Sequence, residues 1–371
     1  MSRVRQFVTS IDWVLLSLAM SISSIGLLVL YSASYDPDVG RSALVTKQLS
    51  FFVLGVFIAL FTASIPSRFW YRIAYFFYGS SLALLCLVLV YGTISNGSRR
   101  WINLGPINLQ PSELMKVGVI LALGRYLSKA PPKNGVYRFR ELLMPGTILL
   151  VPMLVILKQP DLGTALTVGA VGAGMILFVG VNKLVLGAAS LLGVLGAGGA
   201  WMFVLHSYQK RRILTLFYPE GDPQGSGWQI IQSKIAVGSG EIFGKGYLQG
   251  SQTQLEFIPE RTTDFIFCVL AEEWGFIGSL ILLGLYFAVF ARILFGVSRS
   301  KDYFGALIGV GVTGFIFFHA FVNLGMVVGF LPVVGLPLPM FSYGGSSMLT
   351  MFFSLGLVLS LTSSRSVFSS R

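Results

Sequence analysis

Residues 13–31 read WVLLSLAMSISSIGLLVLY, with no acid, base, amide or proline among them. Wound as a helix, such a stretch is about 28 Å long, close to the thickness of a bilayer's hydrocarbon core. Comparable stretches follow along the chain, from Gln48 to Ile65, Ile73 to Tyr91, Ser112 to Leu127, Leu142 to Leu157 and Leu162 to Val181. The series continues from Leu184 to His206, Thr263 to Ala291, Tyr303 to Phe330 and Tyr343 to Leu361. In lipid every backbone polar group needs an internal partner, so these segments are either helices or strands of a closed barrel. Barrel strands are about 10 residues long and alternate in polarity, whereas these runs are longer and apolar throughout. The expected fold is an all-α polytopic membrane protein with about ten transmembrane helices and a long loop between the seventh and eighth.

Composition supports this: 54% of the 371 residues are hydrophobic and only 11% are charged, too few to coat a soluble domain. The net charge of +12 does not point to nucleic acid, because the basic residues are scattered over short loops rather than gathered in a stripe with aromatics. Cys86 and Cys268 stand singly in apolar runs, which supports neither a disulfide framework nor a thiolate metal site. His206 and His319 lack ligand-type neighbours and read as interfacial or helix-packing histidines. The first apolar run is too long for a cleaved signal and reads as an uncleaved helix.

Loop charges orient the bundle. With the amino terminus in the cytoplasm, the inner loops carry Arg3, Arg5, Arg68, Arg72, Lys129, Lys133, Arg138, Arg140, Lys183, Arg292, Arg299, Lys301, Arg365 and Arg371. The short outer loops carry only Arg41, Lys47, Arg99, Arg100 and Lys158, the bias of the positive-inside rule. Both termini are then cytoplasmic, and residues 1–371 form a single membrane domain with an extracytoplasmic loop over 207–262. Lys47, Glu113, Lys116, Asp161 and Asp264 all fall at outer span edges, so the chemistry is expected to face outward.

A loop of this length is usually functional or disordered, and its composition argues for order. Trp228, Ile231 and Ile235 recur at helical spacing opposite Gln229, Gln232 and Ser233, as in a helix lying in the membrane interface. The loop ends in Leu255-Glu256-Phe257-Ile258-Pro259-Glu260-Arg261-Thr262-Thr263-Asp264-Phe265. Helix capping by Thr262, Thr263 or Asp264, with Glu260 paired to Arg261, is one use of these residues, and a reactive site is the other. Carboxylates inside a span are costly and usually mark a site, and Glu272 lies about 80° round the helix from Asp264, with Glu273 opposite. Glu272 is therefore expected to share a groove with Asp264. Glu113 and Lys116, three apart, meet on one helix face as a structural or functional pair. Asp161 precedes a span and reads equally as a cap. Pro332, Pro337 and Pro339 interrupt the helix before Ser342-Tyr343-Gly344-Gly345-Ser346, whose small residues suit either a diphosphate at a helix amino end or close packing.

Several motifs in order carry a resemblance: Gly97-Ser98-Arg99-Arg100-Trp101, Gln110-Pro111-Ser112-Glu113, Gln159-Pro160-Asp161-Leu162-Gly163-Thr164, Gln232-Ser233-Lys234-Ile235-Ala236, Phe257 to Phe267, and Ser342 to Ser346. Over nearly its whole length the chain resembles the SEDS family (shape, elongation, division and sporulation), most closely its RodA branch. Thr262 departs from the pattern, since a histidine often precedes the Thr-Asp pair there. The resemblance implies a peptidoglycan glycosyltransferase that polymerises lipid II into undecaprenyl-linked glycan at the outer face of the cytoplasmic (inner) membrane during cell elongation and rod-shape maintenance. It implies Asp264 as catalytic base, Glu113 and Lys116 as an ion pair near the cavity, Asp161 as lining, and Lys47 placed for a lipid phosphate. Glu260, Arg261, Glu272, Ser342, Gly344, Gly345 and Ser346 complete the candidate cavity. A divalent cation, Mg²⁺ or Mn²⁺, would suit the diphosphate, although no dedicated metal motif is visible. The implied partners are a class B penicillin-binding protein that crosslinks the glycan and other membrane proteins of the elongation complex. A lipid II flippase and a non-enzymatic elongation scaffold remain alternatives. Charges concentrated in the outer half disfavour the flippase, and intramembrane carboxylates disfavour the scaffold.

Overall fold

The computed structural model describes residues 11–35, 43–95, 98–103, 105, 108–132, 135–222, 225–255, 257–300 and 302–368. Arg3, Arg5, Arg41, Gly97, Lys133, Glu256, Lys301 and Arg371, used in the readings above, lie outside the described residues. The helices are α1 (Trp13–Ala33), α2 (Ala43–Ser64), α3 (Ser67–Tyr91), α4 (Pro111–Lys129), α5 (Leu143–Lys158), α6 (Leu162–Val179), α7 (Lys183–Gly199) and α8 (Ser207–Phe217). They continue with α9 (Ser226–Ser239), a one-turn α10 (Ser251–Gln254), α11 (Ile266–Ser298), α12 (Tyr303–Val327) and α13 (Gly345–Phe368).

Among the described residues, 8 helices are long and apolar enough to cross a membrane, and Gly345–Leu361 of α13 is a shorter apolar one. The tenth spanning helix is α4, whose charges keep it from standing out by hydropathy. It is enclosed by α3, α5, α6, α12 and α13, and every residue from Met115 to Gly124 is buried. Glu113 and Lys116 face protein, not lipid. The outer helices show the pattern that lipid imposes. α2 buries Gln48, Gly55, Ala59, Thr62 and Ala63 and turns Val53, Phe57 and Phe61 outward.

The loop between α7 and α11 is ordered through α8, α9 and α10, as its composition implied. In α9 the face toward the protein is Ile230, Gln232, Ser233 and Ala236, with Ser233 Oγ donating to Val327 O at 2.8 Å. Trp228 and Ile235 point outward. A small antiparallel sheet, β1 (Thr93–Ser95), β2 (Ser98–Asn103) and β3 (Asn108–Leu109), sits between α3 and α4. The Ser98 to Trp101 motif is thus part of a strand and not an irregular loop.

The largest correction concerns α11. The expected span began at Thr263, but the helix begins at Ile266 and breaks at Gly275 (φ 65°, ψ −158°). The loop 240–246 fills the break. Phe276 N donates to Glu241 O at 2.9 Å and Ile277 N to Ile242 O at 3.1 Å, while Glu272 O and Glu273 O accept from Lys245 N and Gly246 N, both at 3.0 Å. Only glycine fits at the break, since a Cβ on Gly275 would lie 2.3 Å from Gly244 N. The stretch from Phe276 to Ser298 is about 34 Å long and crosses a bilayer by itself. Glu272 and Glu273 therefore precede the crossing stretch and are not deep within it. Ser32, in the last turn of α1, donates its hydroxyl to Glu273 Oε1.

Residues 328–344 link α12 to α13 without regular helix and turn back into the bundle. Tyr286 Oη of α11 donates to Pro339 O at 2.6 Å, and the Phe341 backbone lies against Gly26, midway along α1. This re-entrant segment positions the candidate site.

Candidate functional site

The re-entrant segment gathers four elements at the end of the bundle that carries α8 to α10. Arg212 of α8 donates to Val333 O at 3.2 Å. Val334 O lies against Gly163 at the start of α6, and Gly335 (φ +73°) faces the Asp264 carboxylate, where a Cβ would lie 3.4 Å from Oδ2. Asn323 of α12 donates through Nδ2 to both Leu336 O and Asp264 O, each at 2.8 Å. Asp264 is thus held by its backbone, leaving its side chain open.

That carboxylate differs from the others. The residue capping α11 is Phe265, which makes no side-chain cap bond, so Asp264 is not spent on capping. Among the described residues its carboxylate takes no hydrogen bond and forms no ion pair. It precedes the helix, is half-buried, and is pushed up to about 7 by burial and by the charge of Glu260, with Arg212 acting in the opposite direction. A carboxyl group titrating near neutrality with free oxygens is what a general base requires.

Glu113 and Lys116 meet as expected, Nζ to Oε1 at 2.7 Å, both buried. The structure adds a third member, His319 of α12, whose Nε2 lies 3.0 Å from Lys116 Nζ. Its Nδ1 lies 3.3 Å from Pro337 O. Glu113 Oε2 and Ser112 Oγ are buried with no partner among the described residues.

Most of the remaining candidates make contacts of their own. Asp161 caps α6, accepting from Thr164 N at 3.1 Å and Thr164 Oγ1 at 3.0 Å, with Arg100 at 3.9 Å. Glu272 does not join Asp264. Its oxygens accept from Lys245 Nζ at 2.8 Å, Gln252 N at 2.9 Å, Thr253 N at 3.2 Å and Thr253 Oγ1 at 2.9 Å, pinning α10 and the loop before it. Glu260 does not pair with Arg261 in a cap. Its Oε2 accepts from Thr263 Oγ1 at 3.0 Å, and Arg261 Nε donates to Ala33 O at 2.7 Å. Lys47 is exposed at the start of α2. In the glycine-serine motif Ser342 Oγ accepts from Leu338 N at 2.8 Å, Gly344 N donates to Gln48 Oε1 at 3.1 Å, Gly345 packs on the Phe51 ring, and Ser346 Oγ donates to Asn108 O. Of the two uses open for this motif, the geometry displays packing.

Arg212, Gln48, Asn323 and His319 were missed as members of the site. Asn323 and His319 carried a readable signal, since polar residues within an apolar span need a reason. Arg212 stands in the basic run Lys210-Arg211-Arg212, and nothing local marks it out from its neighbours.

The family of FtsW, RodA and SpoVE cell cycle proteins matches residues 12–367 of the chain. The peptidoglycan glycosyltransferase MrdB of Escherichia coli K12 is 38% identical over 361 residues, covering 97% of this chain and 95% of that protein. The peptidoglycan glycosyltransferase RodA of Treponema pallidum is 33% identical over 429 residues, covering 95% and 98%. Among solved structures, a chain from a peptidoglycan synthase complex that coordinates polymerization and crosslinking aligns with TM-score 0.82 and 35% identity, covering 96% of this chain and 98% of that one. The rod shape determining protein RodA of Thermus thermophilus aligns with TM-score 0.71 and 32% identity over 95% and 96%.

Proposed function

We infer that this chain, which belongs to the FtsW, RodA and SpoVE family of cell cycle proteins, is a peptidoglycan glycosyltransferase that polymerises lipid II during cell elongation. The observation that carries the reading is Asp264, a half-buried carboxylate without a partner among the described residues, titrating near neutrality between Glu260 and Arg212. In the proposed reaction the 4-hydroxyl of an acceptor lipid II attacks the anomeric carbon of the undecaprenyl-linked chain. Its proton passes to Asp264, the new glycosidic C–O bond forms, and the bond to the diphosphate breaks. Undecaprenyl diphosphate leaves with that electron pair. Among the described residues no group of three or more His, Cys, Asp or Glu could hold a metal ion. A Mg²⁺ or Mn²⁺ ion would supply charge to the substrate diphosphate, and no step depends on it.

The end bearing Asp264 and the long loop faces outward, with both termini cytoplasmic, a reading supported by the charge bias of the short loops. In a Cys86→Ser background, a membrane-impermeant thiol reagent applied to intact spheroplasts modifies Glu220→Cys and spares Arg140→Cys. The reverse pattern inverts the topology and removes the mechanism. The crosslinking partner is a class B penicillin-binding protein, a reading supported by the fold shared with a chain of the synthase complex. The function itself is tested by incubating the purified chain and such a partner with lipid II in detergent. Glycan strands are expected, and a folded complex that makes none overturns the assignment.

A further inference from the structure

His319 is completely buried on a spanning helix, and it touches one charged side chain and one backbone carbonyl. Lys116 Nζ, 3.0 Å from Nε2, is an ammonium that only donates, because Glu113 Oε1 lies 2.7 Å away as its counter-charge. Nε2 must then be the bare, accepting nitrogen, and Nδ1 carries the proton and donates to Pro337 O. The ring also stands edge-on to Phe315 at 5.0 Å between centroids, and Lys116 Nζ lies 5.0 Å from the centre of that same Phe315 ring. The position of the ammonium is set from three sides: carboxylate, imidazole and aromatic face.

The same turn of the re-entrant segment is held again one helical turn along α12, where Asn323 bonds both Leu336 O and Asp264 O. His319 and Asn323 therefore grip adjacent carbonyls, those of Pro337 and Leu336. One residue of the pair leads to the Glu113–Lys116 ion pair and the other to Asp264. We propose that His319 is a positioning residue, a neutral Nδ1–H imidazole that ties the buried Glu113–Lys116 pair to the turn facing Asp264, so that ion pair and carboxylate keep one register. This rests on the glycosyltransferase reading for its consequence, since a displacement of about 1 Å in a reacting group costs about 10²-fold in rate. His319 itself acts through Lys116 and Pro337.

The chain has 2 histidines, so ¹⁵N-histidine labelling of full-length His206→Asn protein in detergent reports His319 alone. The expected spectrum shows a protonated Nδ1 and an unprotonated Nε2, with the Nε2 resonance moving in Lys116→Met while Nδ1 keeps its proton. An Nε2–H tautomer or an imidazolium overturns the proposal. In the lipid II assay His319→Gln, which retains an acceptor for Lys116, keeps kcat within a few-fold of wild type. His319→Phe keeps the packing on Phe315 but loses both hydrogen bonds, and kcat is expected to fall about 10²-fold with KM little changed. Wild-type kcat in His319→Phe, or an equal fall in His319→Gln, sinks the positioning role. Absence of glycan from wild type sinks the enzymatic reading instead, and the tautomer still decides the contact.

Discussion

Asp264→Asn is expected to reduce glycan synthesis to near background while membrane insertion and partner binding persist. General-base removal costs about 10²–10⁴ in rate, and asparagine keeps nearly the same shape. The structure sharpens this test. Because the cap of α11 is Phe265 and the tether from Asn323 goes to the Asp264 carbonyl, the substitution leaves both the helix start and the tether intact. A fall in rate therefore reports on the carboxylate. A folded Asp264→Asn complex that polymerises at nearly the wild-type rate removes Asp264 from the chemistry, and Glu260 becomes the carboxylate to examine.

The second large effect is on stability. Lys116 is 1% exposed and Glu113 4%, in a helix surrounded by protein. Removing one partner leaves the other charge buried and uncompensated, at about 3–5 kcal/mol. Glu113→Gln and Lys116→Met are each expected to lower the thermal midpoint in detergent strongly, and the double variant should lie above the sum of the two losses. Strict additivity would show that the charges do not compensate each other. Exchange of the pair, Glu113→Lys with Lys116→Glu, restores the ion pair but presents a carboxylate to Nε2 of His319. Partial recovery of stability with poor recovery of rate is the expected result. Recovery of both in full would contradict any need for the imidazole at Lys116.

The bundle was legible because lipid imposes a signal on every spanning segment. The runs of α1, α3, α5, α6 and α12 needed only their apolarity and length, and Tyr303 was met as a helix start in the structure. The α4 pair was legible for a local reason, since residues three apart share a helix face whatever surrounds them. The break in α11 was not. It depends on loop 240–246 donating and accepting across Gly275, and a single glycine in an apolar run does not announce such a partner. Glu272 was misplaced because angular position assumed that Asp264 lies on the same helix, whereas the helix begins at Ile266 and the Glu272 carboxylate is taken up by Lys245 and by Gln252 and Thr253 of α10.

The site was only half legible. Asp264 stood out by its acidic and basic neighbours and by its motif, but of those neighbours only Glu260 acts on its charge. Arg261 turns to the end of α1, and Arg212, some fifty residues earlier in the chain, is the arginine that offsets the charge on Asp264. The tertiary turn at 333–337 brings these groups together, and sequence order carries no record of it.

The pH–rate profile of lipid II polymerisation tests the role of Asp264 most directly. Its carboxyl titrates at about 7, raised from 3.8, and a base works only when ionised. Activity should therefore be lost as pH falls through about 7 and be fully present above it. Glu260→Gln removes a charge that raises this value and should move the midpoint down; Arg212→Met removes one that lowers it and should move the midpoint up. Opposite displacements in the two variants are the result expected of Asp264 as base. A midpoint that stays fixed in both, or a rate independent of pH across this range in wild type, would contradict it.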